Sequence, residues 1–584
     1  MELVQSTRWW QTTVIYQIYP RSFQDSNGDG VGDLAGILSR LKYLVELGVG
    51  ALWISPFYPS PMADFGYDVA DYCNVDPLFG SLADFDALIA RARELKLKVI
   101  LDFVPNHTSD QHPWFLESRS SRDNPKRDWY LWCDPASGDG PPEGRLPNNW
   151  MSHFGGSAWT FDQHTGQFYM HSFLSQQPDL NWRNPEVRRE MYGAMRFWLE
   201  RGPRGRGIDG FRMDVLWLLI KDAQFRDNPV NPDWQPGTSS FGRFLPLYTA
   251  NRPETHEIVA EMRSLLESCS DSAGERLLIG EIYLPIDELV KYYGASVPEA
   301  IEIPLDLTNV AITGPRLNGA QLPFNFHLIQ TPWRAEAIAQ LIRDYEAALP
   351  PGAWPNWVLG NHDQTRLATR VGPAQARVAA MLLLTLRGTP TLYYGDELGM
   401  TDGFIPPSKV QDPAEKKQPG IGMGRDPERT PMQWDTSDNA GFTTGKPWLP
   451  VAPDFSQKCV EAENRDPASL LRLYRALLEL RREYPALHSG DVYGVKPGEG
   501  SDSQLLAYRR TDGAERMQVL LNLSTEAQAT SCPPGRILLS TDPNREAIEI
   551  SGDVTLGPGE GLLISLKEHL AGYSPLLRKR ETPT

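Results

Sequence analysis

The chain has 584 residues, 41% of them hydrophobic and 22% charged, with a formal net charge of −17. These proportions exclude a disordered chain, and the length exceeds one compact core, so a large domain with one or two attachments is expected. The negative balance excludes a nucleic-acid partner, which needs clustered Lys and Arg, and the longest apolar stretch, Val378–Leu384, falls far short of the roughly 20 residues that cross a bilayer.

The first residues, MELVQSTRWWQTT, lack a basic start followed by an apolar core, so no signal peptide is expected and cytoplasmic residence is the default. Val14–Pro20, Ala51–Pro56 and Val99–Val104 read as strands separated by amphipathic stretches at Ile37–Leu47 and Ala83–Leu95, the signature of βαβ units. Between the first strand and first helix, Asp25–Asp33 reads DSNGDGVGD. Asp25, Asn27, Asp29 and Asp33 place oxygens at positions 1, 3, 5 and 9 of a loop, with the Val31 carbonyl at 7 and glycine at 6, as in the first part of an EF-hand loop. Gly36 stands where that loop carries a bidentate Glu. The expectation is a structural Ca2+ or Mg2+ remote from any chemistry.

After His107 the strand–helix rhythm stops, and residues 108–176, rich in Pro, Gly, Trp and Asn, are too long for a simple loop and predict an inserted subdomain. The rhythm resumes with a helix at Glu186–Glu200 and strands at Gly207–Val215, Leu277–Tyr283, Leu322–Ile329, Trp357–Leu359 and Thr389–Tyr394, eight candidate strands in all. Thr401–Val451 is a long excursion, a helix at Ala468–Arg482 closes the large domain, and short alternating runs such as Gln504–Arg509 and Met517–Asn522 follow. The expected architecture is a (β/α)8 barrel over 1–107 and 177–487, an inserted subdomain at 108–176 and a C-terminal β-sandwich at 488–584. Five scattered cysteines, Cys73, Cys133, Cys269, Cys459 and Cys532, lack CxxC spacing and are expected to be free thiols.

Four apolar runs end in charged or imidazole side chains: KVILDFVPNH (98–107), GIDGFRMDV (207–215), LLIGEIY (277–283) and WVLGNHDQTR (357–366). In a barrel the chemistry sits at the C-terminal strand ends, which is where the polar residues fall. Arg212 and Asp214 are two apart, so on a strand they share a face, and a guanidinium so close keeps a carboxylate ionised. An ionised carboxylate aimed into a cavity is what a glycosidic nucleophile requires. No GxGxxG or GxxxxGK[ST] follows a strand, so a nucleotide-dependent transferase gains no support.

At DFVPNH (102–107), GFRMDV (210–215), GEIYLP (280–285) and GNHDQTR (360–366), with QPDLN (177–181), the chain resembles glycoside hydrolase family 13, the α-amylase family, and within it the α-glucosidase and oligo-1,6-glucosidase group. The resemblance implies that Asp214 is the nucleophile, Glu281 the general acid and base, and Asp363 the carboxylate that grips sugar hydroxyls. It further implies that His107, Arg212 and His362 line the glucose pocket, that Asp64 and Tyr67 close it, and that Phe154, Phe173, Gln177, Arg425 and Arg429 accompany them. Retention at the anomeric carbon needs two carboxyls about 5–5.5 Å apart, one of them protonated near neutral pH. Val215, after the nucleophile, matches members that accept α-1,6 bonds; one side chain shifts such a choice by about 1–3 kcal/mol. The activity implied is exo-acting hydrolysis of short α-glucosides by a monomer or small homo-oligomer. A trehalose synthase or other glucosyl-transferring relative is the alternative, and a catalytically silent interaction protein a remote one.

Overall fold

The structure is a computed structural model describing residues 7–202, 205–270, 274–297, 316–498, 503–545 and 547–567. The expected end segments 1–6 and 568–584 lie outside the described residues.

All eight predicted barrel strands form: β1 (Ile15–Ile18), β2 (Ala51–Ile54), β3 (Lys98–Phe103), β4 (Gly210–Met213), β5 (Leu277–Ile282), β6 (Leu322–Asn325), β7 (Asn356–Val358) and β8 (Thr389–Tyr393). They are hydrogen-bonded in parallel in the order β6-β5-β4-β3-β2-β1-β8-β7. The remaining seam is bridged by one side chain: Asn356 accepts the Asn325 amide through Oδ1 at 2.9 Å and donates from Nδ2 to the Pro323 carbonyl at 2.5 Å. Alternation along each strand divides its side chains. Ile15, Ala51, Trp53, Ile100, Ile279 and Phe324 gather in one cluster inside the barrel, while Tyr16, Leu52, Leu101, Phe211 and Leu278 join the larger cluster under the surrounding helices.

Local signals explain where the helices start and stop. Asp33 caps Leu34–Leu47 by accepting the Gly36 amide at 2.6 Å, and Gly48 ends that helix at φ 109°, a conformation that glycine adopts without steric cost. Ser81 and Asp84 form a capping box on Leu82–Glu94. Asn184 caps Pro185–Glu200, which has proline in its first turn.

The insertion after β3 holds the helix Pro113–Ser120 and a three-stranded antiparallel sheet of Trp132–Cys133, Gln167–Met170 and Trp159–Asp162. Bridges His107–Asp179 and Tyr130–Leu180 tie it back to the rim. In the expected C-terminal β domain the described strands are hydrogen-bonded as one six-stranded antiparallel sheet. Alternation divides this sheet as well: Leu506, Tyr508, Val519, Leu521 and Leu563 join the barrel's cluster, while Leu505, Leu520, Ile537, Leu556, Leu562 and Ile564 form a separate buried core. Tyr508 and Thr385 share a hydrogen bond at 2.6 Å, and Arg510 donates to the carbonyls of Leu487 and Gly490 at 3.0 and 2.8 Å. All five cysteines are free. No helix among the described residues is long and apolar enough to cross a membrane.

Candidate active site

Parallel register brings the charged strand ends together. Asp102 on β3 lies opposite Arg212 on β4, and Phe324 on β6 opposite Glu281 on β5. The fully buried Arg212 contacts three carboxyls: its Nη1 donates to Asp102 and Asp214, both at 2.8 Å, and Nη2 lies 2.8 Å from Glu281. Its guanidinium also sits 5.0 Å from the Trp53 ring. Just past Asp214 the chain turns sharply at Val215, whose φ of 38° is costly for a β-branched residue. That turn aims the Val215 amide at Glu281 Oε2, 2.7 Å away.

Burial and the neighbouring Glu281 charge push the Asp214 carboxyl well up, Arg212 opposing, and burial raises Glu281 too. The two therefore titrate as a pair that retains one proton above the ordinary carboxylate range. Burial, opposed by Arg212, raises Asp102 to about 6. Asp363 behaves differently. Burial disfavours its ionisation, but His362 and the Arg429 and Arg425 guanidiniums, the latter two at 2.8 and 3.3 Å, hold it well below the usual range. His362 is itself kept neutral by burial, so the two guanidiniums carry that shift.

A hydrogen-bond chain orients the imidazoles. Gln17 Nε2 meets His362 Nδ1 at 2.8 Å, and His362 Nε2 lies 2.6 Å from the Tyr67 hydroxyl, which donates to Asp102 at 3.1 Å. With its single proton given to Asp102, Tyr67 accepts from His362, so the imidazole proton sits on Nε2. Burial likewise lowers His107 to about 4, and its Nε2 lies 3.0 Å from the Tyr67 carbonyl and 3.1 Å from Gln177. Asp64 accepts from Gln177 at 3.2 Å and from Arg425 at 2.6 Å. Arg425 thus joins Asp64 to Asp363, and is steadied by Asp412 at 2.6 Å and by the Phe154 ring 4.9 Å away.

These groups border a cavity of about 670 Å3 whose lining includes Asp64, Tyr67, His107, Phe154, Phe173, Gln177, Asp214, Glu281, His362, Asp363 and Arg425. A family model for the α-amylase catalytic domain matches residues 17–490. The chain belongs to the α-amylase family. Within this family of glycoside hydrolases it is 40% identical to a probable α-glucosidase of Rhizobium meliloti, over 91% of this chain and 92% of that one. It is 35% identical to an oligo-1,6-glucosidase of Parageobacillus thermoglucosidasius, over 96% and 99%. The solved α-glucosyl transfer enzyme XgtA superposes with a TM-score of 0.84 at 38% identity, covering 96% of this chain and all of that one. The α-amylase-family chain is a glycoside hydrolase of the α-glucosidase group.

Two of the expected pocket residues do not line the cavity. Arg212 and Arg429 lie fully buried beneath it, holding carboxylates from behind. Sequence reasoning missed Asp102, although it stands in the quoted DFVPNH run, and Asp412, which no strand-end signal marks. It also missed His153, Trp217 and Phe241 on the cavity wall, which come from the insertion and from irregular chain after β4.

In the Asp25–Asp33 loop, Asp25 accepts the amides of Asn27, Gly28 and Gly30 at 2.8–2.9 Å and the Thr443 hydroxyl at 2.5 Å. Asn27 accepts the Asp29 amide and Asp29 the Val31 amide, each at 2.8 Å, while Asp33 is taken up by Ser26 and the helix cap. Among the described residues no three His, Cys, Asp or Glu side chains converge as a metal centre. A cation here would also need the Asn27 side chain and the Val31 carbonyl.

Proposed function

We propose that this protein is a retaining, exo-acting α-glucosidase that removes terminal α-linked glucose from short oligosaccharides with α-1,4 or α-1,6 bonds. The observation that carries the reading is the Asp64–Arg425–Asp363 bridge beside the Asp214–Glu281 pair. A cavity barred by such a bridge accepts a chain end and refuses the middle of a polymer. In the proposed cycle the shared proton sits on Glu281 and passes to the glycosidic oxygen while ionised Asp214 bonds to C1. Glu281 then takes a proton from water as water displaces Asp214, and the glucose leaves with its configuration kept. Three guanidiniums, Arg212, Arg425 and Arg429, face six carboxyls, Asp64, Asp102, Asp214, Glu281, Asp363 and Asp412. That excess of fixed negative charge favours a cationic transition state. Neutral His107 and His362 line the cavity without reducing it.

Val215 on the cavity wall supports acceptance of isomaltose as well as maltose. The likeness to a solved glucosyl-transfer enzyme favours a second outcome, in which a sugar rather than water takes up the glucosyl group. Time-resolved proton NMR of maltose hydrolysis is expected to show α-glucose first, with isomaltose cleaved and soluble starch hardly touched. Initial release of β-glucose, or brisk cleavage of starch, would contradict the reading.

A structural Ca2+ or Mg2+ is proposed for the Asp25–Asp33 loop, held by Asp25, Asn27, Asp29, the Val31 carbonyl and Asp33. Hard oxygen donors alternating along one turn suit either ion, and position nine commonly binds through water, as an Asp33 engaged in capping requires. Asp25 also bonds Thr443, so the ion would pin the first barrel loop to the long excursion.

A further inference from the structure

A second cleft, of about 460 Å3, lies in the C-terminal sheet on the face turned away from the barrel's cluster, and shares no residue with the cavity above. Its shape follows from two prolines. The strand Gln528–Ser540 pairs with Gly561–Leu566 only from Gly535 onward, and its register with Glu549–Leu556 shifts between Cys532 and Gly535. Pro533 and Pro534 stand at that shift, where a residue without an N–H cannot extend the ladder. The first half of the strand therefore leaves the sheet and overhangs its neighbours. Leu505, Ala507 and Leu520 floor the space beneath, with Thr530 and Pro533 on the overhanging side and Tyr493 on the other.

Two cations, Lys496 and Arg509, border this apolar floor. Lys496 lies opposite Ala507 in the antiparallel register, so it and Arg509 are diagonal neighbours about 7–8 Å apart on one face, where like charges repel. Among the described residues no carboxylate lines the cleft and neither cation is in an ion pair, although the chain carries a net charge of −17. Lys496 is on an edge strand, where a lysine also discourages pairing with another chain. That reason does not extend to Arg509, which is half-buried on the inner strand Leu505–Asp512. Arg509 Nε donates to Gln518 Oε1 at 3.0 Å, and Gln518 is fixed in turn by donating to the Tyr508 and Val519 carbonyls at 3.0 and 3.1 Å. The guanidinium is thus oriented while its Nη1 and Nη2 have no protein hydrogen bond among the described residues. A guanidinium fork grips a carboxylate with two parallel bonds.

An inorganic anion would answer these cations and leave the floor in water. An uncharged apolar molecule would cover the floor and leave the cations unanswered. An acid with a flat apolar body does both, and the Tyr493 ring gives it an aromatic neighbour. We propose that this cleft binds an aryl carboxylate, its carboxylate held by Arg509 and Lys496 and its ring lying on Leu505, Ala507 and Leu520 beside Tyr493. The proposal is independent of the glucosidase reading.

Titration calorimetry of the full chain with 2-naphthoate at pH 7 and low salt is expected to show one site with a Kd below about 1 mM. The uncharged 2-naphthalenemethanol, of similar shape, is expected to bind about tenfold more weakly, and inorganic phosphate at equal concentration to displace little of the naphthoate. Arg509→Gln is expected to weaken naphthoate binding about tenfold and Lys496→Gln about threefold, with the melting temperature unchanged for the second. Lys496 is exposed, so its substitution reads the site even where Arg509→Gln fails to fold. No naphthoate binding, an alcohol that binds as tightly as the acid, or an affinity unmoved by the charge substitutions would overturn the proposal.

Discussion

Asp214, Glu281 and Arg212 depend on one another. Three buried carboxyls are tolerable here because one guanidinium touches them all, and removing it would leave uncompensated charge costing about 3–5 kcal/mol. Neutralising Asp214 without changing its shape separates chemistry from folding. The Asp214→Asn protein is expected to lose at least about 10^4-fold in kcat on aryl α-glucosides while still binding glucose, as competition binding would show. Undiminished turnover would remove Asp214 from its role. The sequence exposed this pairing because strand geometry puts residues two apart on one face. It could not distinguish a lining residue from a supporting one. Arg212 and Arg429 read as pocket residues, and only packing shows them to be fully buried supports. Asp412 was invisible for a related reason: its partner Arg425 is near it in sequence, but Asp64, whose charge Arg425 also balances, comes from a distant loop.

At the scale of elements, the barrel strands announced themselves as apolar runs because both faces are buried, and the capped helices because their end signals are local. The β4 turn was less legible. A valine at φ 38° contradicts local preference and is held there by the hydrogen bond from its amide to Glu281, a contact 66 residues away. The Asp25–Asp33 loop carries its own test. If it holds an ion, chelation is expected to lower Tm by about 3–5 °C, restored by added Ca2+ or Mg2+, with about one ion per chain by metal analysis. Unchanged melting together with no bound metal would end that proposal. The C-terminal strands followed their alternation, one set of side chains joining the barrel's cluster and the other forming a core of its own.

For the whole molecule, burial sets the pH response. It raises Glu428 to about 8 and Asp396 and Glu463 each to about 7. An acid whose folded pKa is raised holds its proton more tightly when folded, so this stability is full at low pH and lost as pH climbs through the folded pKa. Burial lowers His107, His153 and His171 to about 4, so their contribution is present above about 6.5 and lost as pH falls toward 4. The melting temperature is therefore expected to peak near pH 6 and to fall toward pH 8.5. Glu428 alone accounts for about 1–2 kcal/mol of the alkaline decline, and Glu428→Gln should flatten it; a profile still rising at pH 8 would refute the account. By itself the sequence determined the strand–helix order, the parallel barrel, the insertion point and the positions of the three strand-end carboxyls, because periodicity and strand-end position act over a few residues. Tertiary structure alone decided the coupled Asp214–Glu281 pair and the Arg425 bridge between Asp64 and Asp363. Those features arise where distant segments meet, and burial and Coulomb interaction depend on distance in space, which spacing along the chain does not record.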